Sequence, residues 1–124
     1  MNKILILGFH TINIILIIFY LYPGSLLGFF LYNDSSIQPQ ITRDFLISSN
    51  HFYVFIILSI SGIIAYNKTT RINVLITYLF LLSIILEFFH IIIPNRSFEL
   101  SDLFGNFLGV VLVFTFYKIK NRYV

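Results

Sequence analysis

The sequence predicts an all-α, polytopic membrane protein built as a bundle of about four transmembrane helices. Only 10% of the 124 residues are charged and 58% are hydrophobic, whereas a water-soluble domain of this size needs far more charged surface. Four apolar segments approach the roughly 20 residues that cross a hydrocarbon core, and polar stretches separate them. Because the chain shows no internal repeat or low-complexity tract, we expect a single transmembrane domain over residues 1–124.

The composition also excludes several classes of function. The chain has no cysteine, which excludes disulfides, cysteine-ligated metal clusters and thiol catalysis. The net charge of +3 does not indicate a nucleic-acid partner, because the basic residues are dispersed at the ends of apolar segments and form no stripe with interleaved aromatics. Membrane topology explains these basic residues better.

The first predicted helix covers about residues 4–22. Lys3 precedes this apolar segment and Pro23 follows it. A cleaved signal peptide is the alternative, but its apolar core would be shorter and a small-residue cleavage site would follow it. We therefore expect a retained helix. Residues 24–50 are more polar and form a loop, whose apolar opening at 26–32 is expected to lie in the membrane interface.

Three further apolar segments complete the predicted bundle, at about 51–66, 72–93 and 102–117. A polar stretch at 67–71 separates the first two of these, and Pro94 ends the second. The segments 51–66 and 102–117 are slightly short for a bilayer core about 30 Å thick, so we expect little tilt and local thinning of the membrane.

The distribution of basic residues predicts the orientation. With four helices, only Arg43 and Arg96 fall on one side of the membrane. The other side carries six basic residues, Lys3, Lys68, Arg71, Lys118, Lys120 and Arg122. The positive-inside rule then predicts that both termini are cytoplasmic and that the loops at 24–50 and 94–101 are outside.

Ionisable residues from three segments share the predicted outer ends of the helices. Glu87 is the most informative, because a carboxylate costs roughly 2.5 to 3.5 kcal/mol at the centre of a bilayer and must face the bundle or be paired. His90 follows one turn later on the same face, so the two side chains can present a carboxylate and an imidazole together, as proton-transfer or metal sites require. The alternative is a hydrogen-bond network that only joins helices.

The last helix adds its own pattern. Asp102 and Asn106 are four residues apart on one face, and Asp102 also suits a capping role in the first turn. Gly105 and Gly109 form a small-xxx-small face that predicts close approach of another helix. Arg96 is expected to pair with a nearby carboxylate, Glu87 or Asp102, or with an anionic headgroup. The first helix is expected to pack alongside without contributing to this polar group.

The stretch 87–109 resembles the signature of the VanZ-like family. That family typically shows a Glu, a Gln or similar residue three positions later, an Arg, and then an Asp, an Asn and a Gly on the last helix. The matching residues here are Glu87, Arg96, Asp102, Asn106 and Gly109. His51 is similar to the family's histidine. Two features differ, since His90 replaces the usual Gln and residues 48–50 replace an Asp-Lys pair before that histidine.

The resemblance implies a protein of the bacterial cytoplasmic membrane that binds or acts on a lipid-linked or cell-wall component at the outer leaflet and is linked to teicoplanin tolerance. The resemblance implies three candidates for proton transfer, which are His51, Glu87 and Asp102. It implies three candidates for ligand binding, which are Arg96, His90 and Asn106. Membrane lipid and a lipid-linked envelope precursor are the expected partners. Nucleic acid is not expected as a partner, and assembly into an oligomer is left open.

Three alternatives stay open at this point. We expect no resident cofactor, but imidazole and carboxylate ligands are both present for a metal held by His51, Glu87, His90 and Asp102. A non-catalytic structural or accessory subunit would use the same polar residues only to lock its helices together. A transporter is the weakest alternative, because four helices without a repeat leave little room for alternating access.

Overall fold

The computed structural model describes residues 2–123, and the secondary structure of this range consists of helices with no strand, which confirms the predicted fold class. The five helices are α1 Lys3–Leu21, α2 Leu26–Tyr32, α3 Ser49–Tyr66, α4 Ile72–Phe89 and α5 Leu100–Tyr123. All except α2 are long and apolar enough to span a membrane. The chain is therefore an integral membrane protein with four candidate spans.

The long helices form one bundle in which α3 packs most extensively against α5. Two glycines explain this close approach. A Cβ atom on Gly105 would lie 2.8 Å from the carbonyl oxygen of Ser48, and one on Gly109 would lie 2.8 Å from that of Phe52. The predicted small-residue interface is confirmed, with α3 as its partner. Further contacts join α1 to α3 and α4 to α5.

The bundle has few wholly internal side chains and a broad apolar exterior. Phe55, Leu58, Leu79 and Val110 are fully buried between the helices. However, only 22% to 33% of each spanning segment is buried inside the chain. The remaining apolar side chains face outward, as expected where the surrounding solvent is lipid.

The fourth helix of the chain ends earlier than the sequence predicted. We expected a helix over 72–93, but α4 ends at Phe89. The backbone N–H of His90 bonds to the carbonyl of Glu87 at 3.1 Å, which tightens the last turn. Asn95 then takes a left-handed conformation with φ of 59°, and Pro94 disfavours helix in the residue before it. Glu87 consequently lies in the last turn of α4.

Two other helices are longer than predicted. The helix expected over 51–66 begins at Ser49, so His51 lies within its first turn. The helix expected over 102–117 runs from Leu100 to Tyr123 as α5, because its basic C-terminal residues are exposed and suit the negative end of the helix dipole.

The loop between α1 and α3 is organised around the short helix α2. Ser25 caps its N-terminus, accepting a hydrogen bond from the N–H of Gly28, and Asn33 ends it in the left-handed conformation with φ of 53°. A Cβ on Gly28 would collide with the carbonyl oxygen of Ile37, so the following loop lies directly against α2. The aromatic side chains of Phe29 and Phe30 are exposed. This surface suits the membrane interface expected for 26–32.

Candidate functional site

The end of the bundle opposite the chain termini holds a group of polar side chains. At this end α1 and α4 finish, and α3 and α5 begin. The group is called the polar cluster below and consists of Tyr20, His51, Glu87, His90, Asp102 and Asn106. Glu87, His90 and Asn106 are almost completely buried. Every sequence-predicted site residue belongs to this cluster except Arg96, which lies beside it.

The start of α3 is fixed by its own loop, and this positions His51. The backbone N–H of Ser49 donates to a carboxylate oxygen of Asp44 at 2.8 Å, which satisfies a free donor at the helix N-terminus. The N–H of Ser48 donates to the carbonyl of Ser101 at 3.0 Å, joining the starts of α3 and α5. Together with the contact at Gly105, these bonds bring His51 against the first turns of α5.

The hydrogen bonds around His51 determine which of its ring nitrogens carries a proton. The Asn106 amide is oriented because its Nδ2 donates to the carbonyl of Ser83 at 3.2 Å. Its Oδ1 accepts from the Tyr20 hydroxyl at 2.6 Å. Both oxygens therefore present acceptors to His51 Nδ1, at 3.0 Å for Tyr20 and 3.1 Å for Asn106. The proton lies on Nδ1, and Nε2 faces Asp102 Oδ2 at 3.5 Å.

Glu87 and His90 form the buried pair that the sequence predicted. His90 Nδ1 lies 3.2 Å from each carboxylate oxygen. His90 Nε2 donates to the carbonyl of Tyr20 at 3.0 Å, because a carbonyl oxygen can only accept. The second nitrogen of the His90 ring is thus left to bond to the Glu87 carboxylate. The N–H of Glu99 donates to Glu87 Oε1 at 3.1 Å and closes the loop over the end of α4.

Arg96 has a different partner from the one expected. Instead of the expected carboxylates of Glu87 or Asp102, two main-chain carbonyls accept its hydrogen bonds: its Nη2 donates to that of Phe19 at 2.7 Å and its Nε to that of Tyr22 at 3.2 Å. The guanidinium thus caps the C-terminal end of α1, where the helix dipole favours a cation. Partial burial lowers the pKa of Arg96, but the guanidinium stays protonated at neutral pH.

The first helix contributes directly to the cluster, contrary to the prediction that it would only pack alongside. Tyr20 is buried and its hydroxyl contacts both His51 and Asn106, and its ring stacks on His90 at 5.8 Å between centroids. The sequence offered one signal that could have found it. A tyrosine at the predicted outer end of a spanning helix shares the depth of the other cluster residues, but tyrosines are common at membrane interfaces without any such role.

Two adjoining cavities border the cluster. The first has a volume of about 300 Å³ and is lined mainly by apolar side chains of α1, α2 and α3, such as Leu16, Leu27 and Val54. The second has a volume of about 730 Å³ and is lined mainly by polar residues. Seven residues line both cavities: Ser25, Gln38, Gln40, Asn50, His51, His90 and Arg96.

The arrangement can perform proton transfer or hold a cation. His51 Nε2 has a free lone pair next to Asp102, so the imidazole can accept a proton from a group in the polar cavity. Glu87 and Asp102 each place a carboxylate oxygen near His51. The convergence of side chains predicted from the sequence is thus confirmed, including His51, Asp102 and Asn106 from helices that are far apart in the chain.

Comparisons with known proteins add no family assignment to this geometry. No family model, curated protein or solved structure matches the chain.

Proposed function

We propose that the chain is a VanZ-like membrane protein of the bacterial cell envelope that binds, or acts on, a lipid-linked component at the outer leaflet. The observation that carries this proposal is the pair of adjoining cavities, one apolar and one polar, which share His51, His90 and Arg96 in their walls. An amphiphile likewise has one apolar part and one polar part. Its hydrocarbon chain suits the apolar cavity, and its headgroup suits the polar one.

The residues at the junction supply the chemistry that such a headgroup needs. Arg96 uses two of its three nitrogens on carbonyls of α1, which leaves N–H donors on Nη1 for a phosphate or carboxylate. His51 Nε2 can accept a proton from the bound group, and Asp102 can stabilise the imidazolium that results. In this proposal His51, Glu87 and Asp102 carry proton transfer, while Arg96, His90 and Asn106 hold or orient the ligand.

The proposed orientation puts the polar cluster at the outer face of the membrane. The six basic residues at the other end of the bundle support cytoplasmic termini by the positive-inside rule. Exposed apolar side chains of α2, such as Phe29 and Phe30, would then contact the outer leaflet, while Leu26 and Leu27 of the same helix line the apolar cavity.

A structural role is the second candidate, and one observation favours it. The hydrogen bonds of the cluster connect all four spanning helices, since Tyr20 of α1 bonds to Asn106 of α5, and Asn106 bonds to Ser83 of α4 and contacts His51 of α3. Such a network would lock the bundle of a small accessory subunit without any reaction. Charge-removing substitutions distinguish the two roles.

The experiment is to produce the chain in a teicoplanin-susceptible bacterium and to measure tolerance. We expect the wild-type chain to raise tolerance, and Asp102→Asn and Glu87→Gln to abolish that rise at equal amounts of membrane protein, because each removes a charge at nearly constant size. The matched control is His10→Asn, which changes an exposed histidine near the opposite end of the bundle. Full tolerance with either carboxylate variant would favour the structural role.

A further inference from the structure

We propose that the polar cluster binds one divalent transition-metal cation through His51, Glu87 and Asp102. One ligand atom from each of these three side chains lies within 4.8 Å of the other two. The three residues come from α3, α4 and α5, so the site exists only in the assembled bundle. The inference deepens the proposed function by adding a cofactor to the same site, but metal binding is measurable without any lipid or antibiotic.

The first observation in favour is a buried carboxylate oxygen that accepts no hydrogen bond from the described residues. Glu87 is completely buried, and no group of the described residues donates a hydrogen bond to its Oε2, although His90 Nδ1 lies 3.2 Å from it. This oxygen lies 3.9 Å from His51 Nδ1 and is therefore directed into the cluster. A carboxylate oxygen without a hydrogen bond in a bundle core is costly, because apolar surroundings do not replace its lost hydration. A cation between Glu87 and its neighbours removes that cost.

The second observation is the gap between His51 and Asp102. Because Nδ1 carries the proton of the neutral ring, the lone pair of Nε2 faces Asp102 Oδ2 across 3.5 Å without a hydrogen bond. Two acceptors at this separation repel each other unless a proton or a cation lies between them. Zinc bonds to nitrogen and oxygen of about 2.1 Å at tetrahedral angles put two ligand atoms about 3.4 Å apart. The observed gap matches that spacing.

The atoms that do not bind the metal are already held by other groups. Glu87 Oε1 accepts from the N–H of Glu99, and His90 lies beside it. The Nδ1–H of His51 is directed at Tyr20 and Asn106. Metal-binding histidines and carboxylates typically have such outer hydrogen bonds, which orient them for the ion. His90 cannot itself be a ligand in this arrangement, because its two nitrogens face Tyr20 and Glu87.

The ligand set also indicates the class of metal. One imidazole nitrogen and two carboxylate oxygens suit Zn²⁺ or Mn²⁺, and three protein ligands leave at least one coordination position for water or substrate. Asp102 lines the polar cavity, so that position faces the space proposed for the headgroup. A divalent cation would offset the charge of Asp102, which otherwise repels an anionic headgroup.

The test uses the purified full chain in detergent without a polyhistidine tag. Titration calorimetry with Zn²⁺ and visible absorption with Co²⁺ measure binding of the metal alone. We expect one saturable site per chain, and at least tenfold weaker binding in His51→Ala and Asp102→Asn. The matched controls are His10→Asn and Asp34→Asn, which remove an exposed imidazole and an exposed carboxylate outside the cluster and should bind like the wild type.

A further variant tests the outer hydrogen bonds. Tyr20→Phe keeps the ring but removes the hydroxyl that orients His51, so Zn²⁺ affinity should fall about 10- to 100-fold. Circular dichroism verifies that each variant keeps its helices. The inference is overturned if the wild type shows no saturable binding, or if His51→Ala and Asp102→Asn bind as tightly as His10→Asn. Metal binding without any effect on teicoplanin tolerance would refute the proposed function and leave this inference intact.

Discussion

Substitution of Gly109 by alanine tests how the site is held together, because at this residue the backbones of α5 and α3 are in close contact. The added Cβ would be 2.8 Å from the carbonyl oxygen of Phe52 and 3.0 Å from Cβ of Phe55. These neighbours are backbone and the base of a side chain, which cannot rotate away. To widen the contact from 2.8 Å to an ordinary separation of about 3.4 Å, α3 must move by about 0.6 Å. Overpacking of this kind costs about 1 to 3 kcal/mol.

Gly8→Ala is the matched control for this substitution. Gly8 lies within α1 and is exposed, and a Cβ added there has no atom of residues 2–123 outside its own helix turn within 4 Å. Both changes gain the same helix propensity of up to about 1 kcal/mol, so their difference isolates the contact with α3. We expect Gly109→Ala to have a free energy of unfolding about 1 to 3 kcal/mol lower than Gly8→Ala, measured by titration with dodecyl sulfate and tyrosine fluorescence. Equal stability of the two variants would contradict the inferred α3–α5 contact.

Three other expectations follow from the same structure. Arg96→Lys should lower the free energy of unfolding by about 1 to 3 kcal/mol in the same titration, because a lysine cannot reproduce the two-nitrogen cap on α1; unchanged stability would show that the cap is dispensable. Single cysteines at Ser35 and Ser97, but not at Thr70, should react with an impermeant thiol reagent in intact cells. The reverse labelling pattern would show that the termini are outside and would contradict the proposed orientation. Hydrogen bonds from the Ser36 hydroxyl and N–H lower the pKa of Asp34, so Ser36→Ala should raise it, as measured by NMR titration; an unchanged midpoint would exclude the hydroxyl bond.

Much of the candidate site was predictable because the sequence determines how deep each residue of a spanning helix lies in the bilayer. The position of a residue along a spanning segment gives its depth, and this placed Glu87, His90, Asp102 and Asn106 at one level. The cost of a lone carboxylate in hydrocarbon then required Glu87 to be buried and partnered, as it is. The small-residue face of α5 was predictable in the same way, because its glycines repeat at helical spacing.

Hydropathy and charge distribution by themselves determined the number of spanning helices and the shared depth of the polar residues, because transfer from water to lipid depends on composition along the chain. Only the tertiary structure decided how α1 takes part. Tyr20 orients His51 from α1, and Arg96 binds carbonyls at the end of that helix instead of a carboxylate. Packing against neighbouring helices sets the rotation of each helix about its axis and the contacts made at its ends. Depth along a segment contains no information about either, so the partners of Tyr20 and Arg96 emerge only when the four helices are assembled.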